Sequence, residues 1–206
     1  ITIVAGASPN FMKIAPIIHE IKNKIDEGHN LAYELVHTGQ HYDTNMSESF
    51  FKDLGIPKPT INLNCGSGSQ SEITSKIMVS FEKYLSENKT DLVIVVGDVT
   101  STMACSIVAK KMNIKVAHVE AGIRSGDMKM PEEINRIVTD SITDYFFTTS
   151  ETANTNLINF GVEKKNIFFV GNTMIDSLVS NKKKLIRPSF WNNLNLSNKK
   201  YIIITL

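Results

Sequence analysis

Residues 91–136 read DLVIVVGDVTSTMACSIVAKKMNIKVAHVEAGIRSGDMKMPEEINR, and this stretch decides the fold. Leu92–Val96 is a continuous apolar run rich in β-branched residues, which is typical of a strand buried on both faces of a parallel sheet. An apolar helix is predicted over Met103–Met112, and a second strand over Val116–Val119. This strand–helix–strand order predicts neighbouring parallel strands of an α/β sheet.

Acidic residues follow both strands. Asp98 comes directly after the first strand, Glu120 after the second, and Glu132-Glu133 opens the next helix just after Pro131. Open α/β sheets bind their ligands at the carboxyl edge, where these side chains should meet. Each acidic residue taken alone is equally explained as a helix cap or as a favourable partner of the helix dipole. Together they indicate an acid/base site.

The same alternation of strands and helices extends over most of the chain. It predicts an α/β fold with a doubly wound, Rossmann-like parallel sheet over residues 1–185. An asparagine-rich stretch, 186–199, is interpreted as an interdomain linker. Residues 200–206 have the apolar pattern of a new strand, so we expect them to open a second, truncated nucleotide-binding domain.

Composition narrows the class of protein. The 206 residues carry a formal net charge of +1, so no overall field favours nucleic acid or an anionic membrane. No stretch approaches the roughly 20 apolar residues of a membrane span. Cys65 and Cys105 are the two cysteines, which favours free thiols in the cytoplasm. No pair of histidines has metal-site spacing, and His118, inside a predicted strand, is interpreted as a hydrogen-bonded core residue.

The turn after the first strand is a candidate anion site. Gly6–Asn10 precedes a helix whose free amide groups face the strand ends. The turn is not a G-x-G-x-x-G fingerprint, so a nicotinamide dinucleotide is not supported. Lys13 lies one turn into the helix and could reach a phosphate, although a single lysine on a helix is more often simply solvated.

Six motifs occur in order along nearly the whole chain: GASPNFMKIAPI, HTGQHY, VVGDVTST, AHVEAGIRS, MPEEINR and FVGNTMID. Together they resemble the non-hydrolysing UDP-N-acetylglucosamine 2-epimerases. The resemblance implies the first half of a glycosyltransferase-B-type fold, in which two Rossmann-like domains hold the sugar nucleotide between them. It also implies a homodimer that makes N-acetylmannosamine-type sugars for cell-surface polysaccharide.

By that resemblance, the reaction interconverts UDP-GlcNAc and UDP-ManNAc through elimination and re-addition of UDP at a 2-acetamidoglucal. The resemblance assigns the proton transfers to Asp98, Glu120 and Glu132, and a role beside the phosphates to Lys13 and Arg136. Gln40 and His41 match a regulatory substrate site of bacterial members. No metal or redox cofactor is implied. With half of the cleft beyond Leu206, we expect residues 1–206 alone to be inactive.

One departure leaves other functions open. The family carries arginine where this chain has Ser8, in the loop that would face the diphosphate. A serine hydroxyl cannot replace the bidentate, charged contact of a guanidinium. A non-catalytic sugar-nucleotide-binding domain therefore stays as an alternative. A 2-epimerase of another UDP-2-acetamido sugar is a second alternative, and a glycosyltransferase of the same architecture is a further rival.

Overall fold

A computed structural model describes residues 1–6, 8–39, 51–194, 196, 202 and 204. The strands are β1 (Thr2–Ala5), β2 (Glu34–His37), β3 (Ile61–Asn62), β4 (Leu92–Val96), β5 (Lys115–Val119), β6 (Tyr145–Thr148) and β7 (Ile167–Phe169). The helices are α1 (Ser8–Asp26), α2 (Gln70–Glu87), α3 (Thr100–Lys111), α4 (Pro131–Ile142), α5 (Glu151–Asn159), α6 (Thr173–Asn181) and α7 (Phe190–Asn193). Residues 51–54 are also helical.

All seven strands form one parallel sheet in the order β3-β2-β1-β4-β5-β6-β7. The chain builds outward from β1 on one side and then returns to place β4 against the other side of β1. This reversal is the topological switch point, and sheets of this kind bind ligands in the crevice beyond the carboxyl ends of the strands there. The predicted doubly wound, Rossmann-like α/β fold is confirmed.

Successive residues of the central strands face opposite cores. In β4, Val93 and Val95 pack in a cluster with α2 and α3, whereas Ile94 packs in a second cluster with α1. Because side chains alternate along a strand, a strand covered by helices on both faces must be apolar throughout. The largest buried side chains include Phe11 of α1 and Phe81 of α2, one on each face.

Two helix boundaries differ from the sequence prediction. Helix α3 begins at Thr100 rather than Met103, because polar side chains of its first turn are buried and hold the turn: the Thr102 hydroxyl donates to the Val96 carbonyl at 2.9 Å. Helix α1 begins at Ser8, inside the turn predicted over Gly6–Asn10. A 3₁₀ turn, Lys182–Lys184, follows α6.

The sheet has two edge strands, and the last residues of the chain are described only in part. β3 and β7 are the edge strands, and Phe168 and Phe169 of β7 are exposed. Most of the strand predicted over 200–206 lies outside the described residues. Among the helices that are described, none combines the length and the apolar character needed to cross a bilayer.

Candidate active site

The residues that directly follow β4 and β5 have similar backbone conformations. The Gly97 N–H donates to the Val119 carbonyl at 3.0 Å, so pairing continues one residue past β4. Gly97 has φ of +71° and Glu120 has φ of +69°, both in the left-handed region. Glycine adopts that region freely, whereas glutamate pays roughly 1–2 kcal/mol for it. A strained non-glycine residue at a ligand-binding edge favours a functional role for Glu120.

The Glu120 carboxylate is held by the first helix. Its Oε2 accepts from Lys13 Nζ at 2.5 Å, and the two side chains are 11% and 15% exposed. A β-carbon on Gly97 would lie 3.3 Å from this Nζ and 3.5 Å from Oε2, so the ion pair sits directly over the glycine. Asn10 fixes the helix relative to the strands, because it accepts from the Gly6 N–H at 3.1 Å and donates to the Val96 carbonyl at 3.2 Å.

Asp98 is held by α4 at both its backbone and its side chain. Asn135 Nδ2 donates to the Asp98 carbonyl at 2.8 Å, and the Arg136 guanidinium forms an ion pair with the carboxylate. Asn135 and Arg136 belong to the MPEEINR motif. The motif therefore acts on Asp98 from a helix that begins more than thirty residues later in the chain.

The adjacent glutamates of α4 have different environments. Glu133 is buried and accepts from the backbone N–H groups of Ser125 and Gly126, each at 3.0 Å, and from Arg136 Nη1 at 2.8 Å. Burial alone would raise the pKa of Glu133, but the hydrogen bonds from Ser125, Arg136 and Gly126 outweigh it and lower the pKa to about 2. Glu133 thus anchors a loop and orients Arg136.

Glu132 is exposed in the first turn of α4, and its carboxylate forms no hydrogen bond or ion pair with any residue that the structure describes. The structure thus joins Lys13 to Glu120 and Arg136 to Asp98, and leaves Glu132 free to meet a ligand. The supporting roles of Glu133 and Asn135 were not predicted. Their spacing within one helical turn of Arg136 was the available signal.

A cluster of hydrogen-bonded side chains adjoins the Gly97 turn, and buried His118 is part of it, as predicted for a hydrogen-bonded core histidine. His118 Nδ1 lies 2.7 Å from Asp140 Oδ1, and its Nε2 lies 2.8 Å from the Gly97 carbonyl. Asp140 Oδ2 accepts from Arg124 Nη1 at 2.6 Å. Burial would raise the pKa of Asp140, but the bonds from His118 and Arg124 prevail and lower it.

The loop after β1 packs closely on its surroundings. A β-carbon on Gly6 would lie 1.9 Å from Ser101 Oγ and 3.3 Å from Thr38 Oγ1, so only glycine fits. Both hydroxyls are buried and have no hydrogen-bond partner among the described residues. Ser8 begins α1. Gln40 and His41 lie outside the described residues, so their predicted regulatory role stays a prediction.

A separate groove of about 840 Å³ lies between α1 and α6. Its lining is largely apolar and includes Met12, Leu54, Ile175, Leu178 and Leu185. None of the predicted site residues lines it. Its charged lining residues are Lys52, Asp53 and Lys184, and the strand-end carboxylates Asp98 and Glu120 do not line it, so its volume alone does not make it the reactive site.

Fold and site together define a Rossmann-like α/β domain with paired carboxylates and cations at its switch point. The family model described as UDP-N-acetylglucosamine 2-epimerase matches residues 23–206. A UDP-N-acetylglucosamine 2-epimerase homolog of Methanococcus maripaludis is 46% identical over 100% of this chain and 56% of its own length. The chain belongs to the UDP-N-acetylglucosamine 2-epimerase family.

Two further relatives bear on the function. The crystal structure of Methanocaldococcus jannaschii UDP-GlcNAc 2-epimerase in complex with UDP-GlcNAc and UDP aligns with a TM-score of 0.85 and 42% identity, over 95% of this chain and 53% of that one. A Pseudomonas aeruginosa UDP-2,3-diacetamido-2,3-dideoxy-D-glucuronate 2-epimerase is 40% identical over 90% of this chain and 52% of its own. The chain spans about half the length of these relatives, in agreement with the predicted first half of a glycosyltransferase-B-type fold.

Proposed function

We propose that the protein containing this chain interconverts UDP-GlcNAc and UDP-ManNAc by inverting C2 of the sugar. The observation that carries the proposal is the pairing of two strand-end carboxylates with cations, Glu120 with Lys13 and Asp98 with Arg136. Ionised carboxylates can accept a proton, and the adjacent cations suit a diphosphate. Family membership supplies the substrate class.

The reaction consists of two balanced steps. In the first, a carboxylate removes the C2 proton while the C1–O bond breaks, which leaves a 2-acetamidoglucal and free UDP. In the second, a carboxyl group on the opposite face returns a proton to C2 and a UDP oxygen re-forms the bond to C1. Both steps need a base and an acid held within hydrogen-bond reach of the ring. We assign these roles to Asp98, Glu120 and Glu132, and contact with the departing diphosphate to Ser8, Lys13 and Arg136.

The carboxylate assignments are tested in the whole protein by Asp98→Asn, Glu120→Gln and Glu132→Gln. We expect each to lower kcat by ~10²-fold or more with little change in KM, the usual scale for a positioned acid or base. The readouts are steady-state turnover and solvent deuterium incorporation at C2. Glu151→Gln is the matched control for Glu132, because Glu151 is also an exposed glutamate in the first turn of a helix. Deuterium incorporation at the wild-type rate in all three variants would remove the assignment.

A second candidate substrate is supported by the Pseudomonas relative, whose name specifies a diacetamido uronic acid. Parallel assays of the whole protein with UDP-GlcNAc and with that UDP-diacetamido sugar decide between the two. If the protein binds both sugars and turns over neither, the non-catalytic binding role that Ser8 suggests is the better reading.

The proposal includes the setting that the resemblance implies: a cytoplasmic homodimer that supplies N-acetylmannosamine-type sugars for cell-surface polysaccharide. It also includes the division of the chain into a first domain (1–185), a linker (186–199) and the start of a second domain (200–206). Light scattering of the whole protein tests the homodimer, and limited proteolysis tests the linker.

A further inference from the structure

His118 lies within β5 on the strand that delivers Glu120, yet its ring faces the neighbouring strand end. The imidazole is 1% exposed and spans two oxygen atoms, Asp140 Oδ1 at 2.7 Å and the Gly97 carbonyl oxygen at 2.8 Å. Both distances are those of full hydrogen bonds. The ring therefore bridges α4 to the turn that carries Asp98.

The partners of the ring decide its protonation. The Gly97 carbonyl can only accept a hydrogen bond, so Nε2 must carry hydrogen. Asp140 Oδ2 accepts from the Gly122 N–H at 3.1 Å and from Arg124 Nη1 at 2.6 Å, and the charge of the adjacent guanidinium favours the ionised carboxylate. The other oxygen of Asp140 then also accepts, and Nδ1 must carry hydrogen as well. A neutral ring would set a lone pair against one of the two oxygens.

We propose that His118 is a doubly protonated positioning residue that fixes the Gly97 carbonyl and, through it, the Asp98 carboxylate. The kinetic part of this inference rests on the proposed epimerase function, whereas the protonation of the ring does not. The bond from Nε2 holds Gly97 from below, while α4 holds Asp98 from the side. Without the ring, the Gly97 carbonyl loses this hydrogen bond and the turn keeps the bond from the Gly97 N–H to the Val119 carbonyl.

Several charged groups surround the imidazole. Asp140 of α4 contacts it directly, and Arg124 of the loop after β5 contacts Asp140. The Lys13–Glu120 ion pair also lies close to Gly97. Asp98 pairs with Arg136 of α4, which in turn pairs with Glu133. The imidazolium, one carboxylate and one guanidinium leave a net positive charge beneath the crevice. A fixed positive charge there suits a substrate whose leaving group is a diphosphate.

The matched variants are His118→Asn and Asp140→Asn in the whole protein. His118→Asn is too short to reach Gly97 and removes the Nε2 bond. Asp140→Asn can donate its amide N–H to Nδ1 while its oxygen keeps Gly122 and Arg124, so a neutral ring still donates to Gly97. We expect His118→Asn to lower kcat ~10²-fold with KM within ~2-fold, because small misplacements of a reacting group cost about that much. We expect Asp140→Asn to lower kcat less than ~10-fold.

Nitrogen-15 NMR of the whole wild-type protein, under the conditions of the turnover assay, tests for hydrogen on each ring nitrogen directly. Both ring nitrogens of His118 should show directly bonded hydrogen. A nitrogen without hydrogen would overturn the proposal, as would wild-type kcat in His118→Asn or equal losses in the two variants. If the wild-type protein does not epimerise UDP-GlcNAc, the proposed function fails separately. The inference then depends on the amide signals of Gly97 and Asp98, which should shift in His118→Asn and stay near their wild-type positions in Asp140→Asn.

Discussion

Glu120 combines two features that oppose stability, a left-handed backbone and a carboxylate that is nearly removed from water. The Lys13 ion pair offsets the second feature and leaves the first uncompensated. The sequence shows that an acidic residue follows β5, but it does not show that the residue must adopt positive φ. That conformation occurs directly after Val119, whose carbonyl accepts from the Gly97 N–H across the two strands, a long-range contact that local patterns do not encode.

The backbone strain at Glu120 can be measured apart from its ion pair. Glu120→Ala and Glu120→Gly both remove the carboxylate, but only glycine relaxes at φ of +69°. We expect the glycine variant to be more stable than the alanine variant by about 1 kcal/mol, measured by urea denaturation. Glu82, exposed within α2, is the control, since there glycine should be less stable than alanine by about 1 kcal/mol. The same order of stability at both positions would contradict the strain.

Among the elements, α4 organises the site most extensively. Asn135 and Arg136 hold Asp98, Glu133 holds the loop before the helix, and Asp140 holds His118. The helix and its acidic start were predictable, because proline and two glutamates mark a first turn. The different roles of Glu132 and Glu133 were not, because they depend on which side of the helix faces the preceding loop.

The hydrogen bonds that Glu133 accepts make the stability of the protein depend on pH. Its folded pKa of about 2 lies below its ordinary value of 4.5, so its contribution is complete above about pH 4.5 and is lost as the pH falls toward about 2. We therefore expect the difference in unfolding free energy between the wild type and Glu133→Gln to be largest near neutrality and to shrink through that window. Urea denaturation at several pH values measures it. Glu132→Gln should show no such change, and a difference for Glu133→Gln that stayed constant with pH would contradict the assignment.

For the molecule as a whole, the doubly wound, parallel arrangement of the sheet was the most predictable feature. Apolar runs such as Leu92–Val96 must be buried on both faces, and alternating helices then impose a parallel, doubly wound arrangement. The site was predictable only as a list of acidic residues. Its ion pairs join residues separated by up to 107 positions, and only the folded sheet brings them together.

The described crevice is one wall of the proposed binding cleft. Relatives that match this chain contain nearly as much sequence again. We therefore expect residues 1–206 alone to bind UDP weakly and to show no epimerase turnover. We expect the whole protein to bind UDP more tightly and to show turnover. Isothermal titration with UDP and a turnover assay compare the two. Robust turnover by the 206-residue chain would show that one domain suffices.

The edge strand β7 affects measurements on the isolated 206-residue chain. Phe168, Phe169 and Val170 are exposed beside a strand that has a neighbour on only one side among the described residues. An exposed, apolar edge strand recruits further strands by backbone hydrogen bonding and leads to aggregation. The apparent molecular mass of the 206-residue chain would then increase with concentration, because intermolecular β-sheet forms. That mass would not report the oligomeric state of the whole protein.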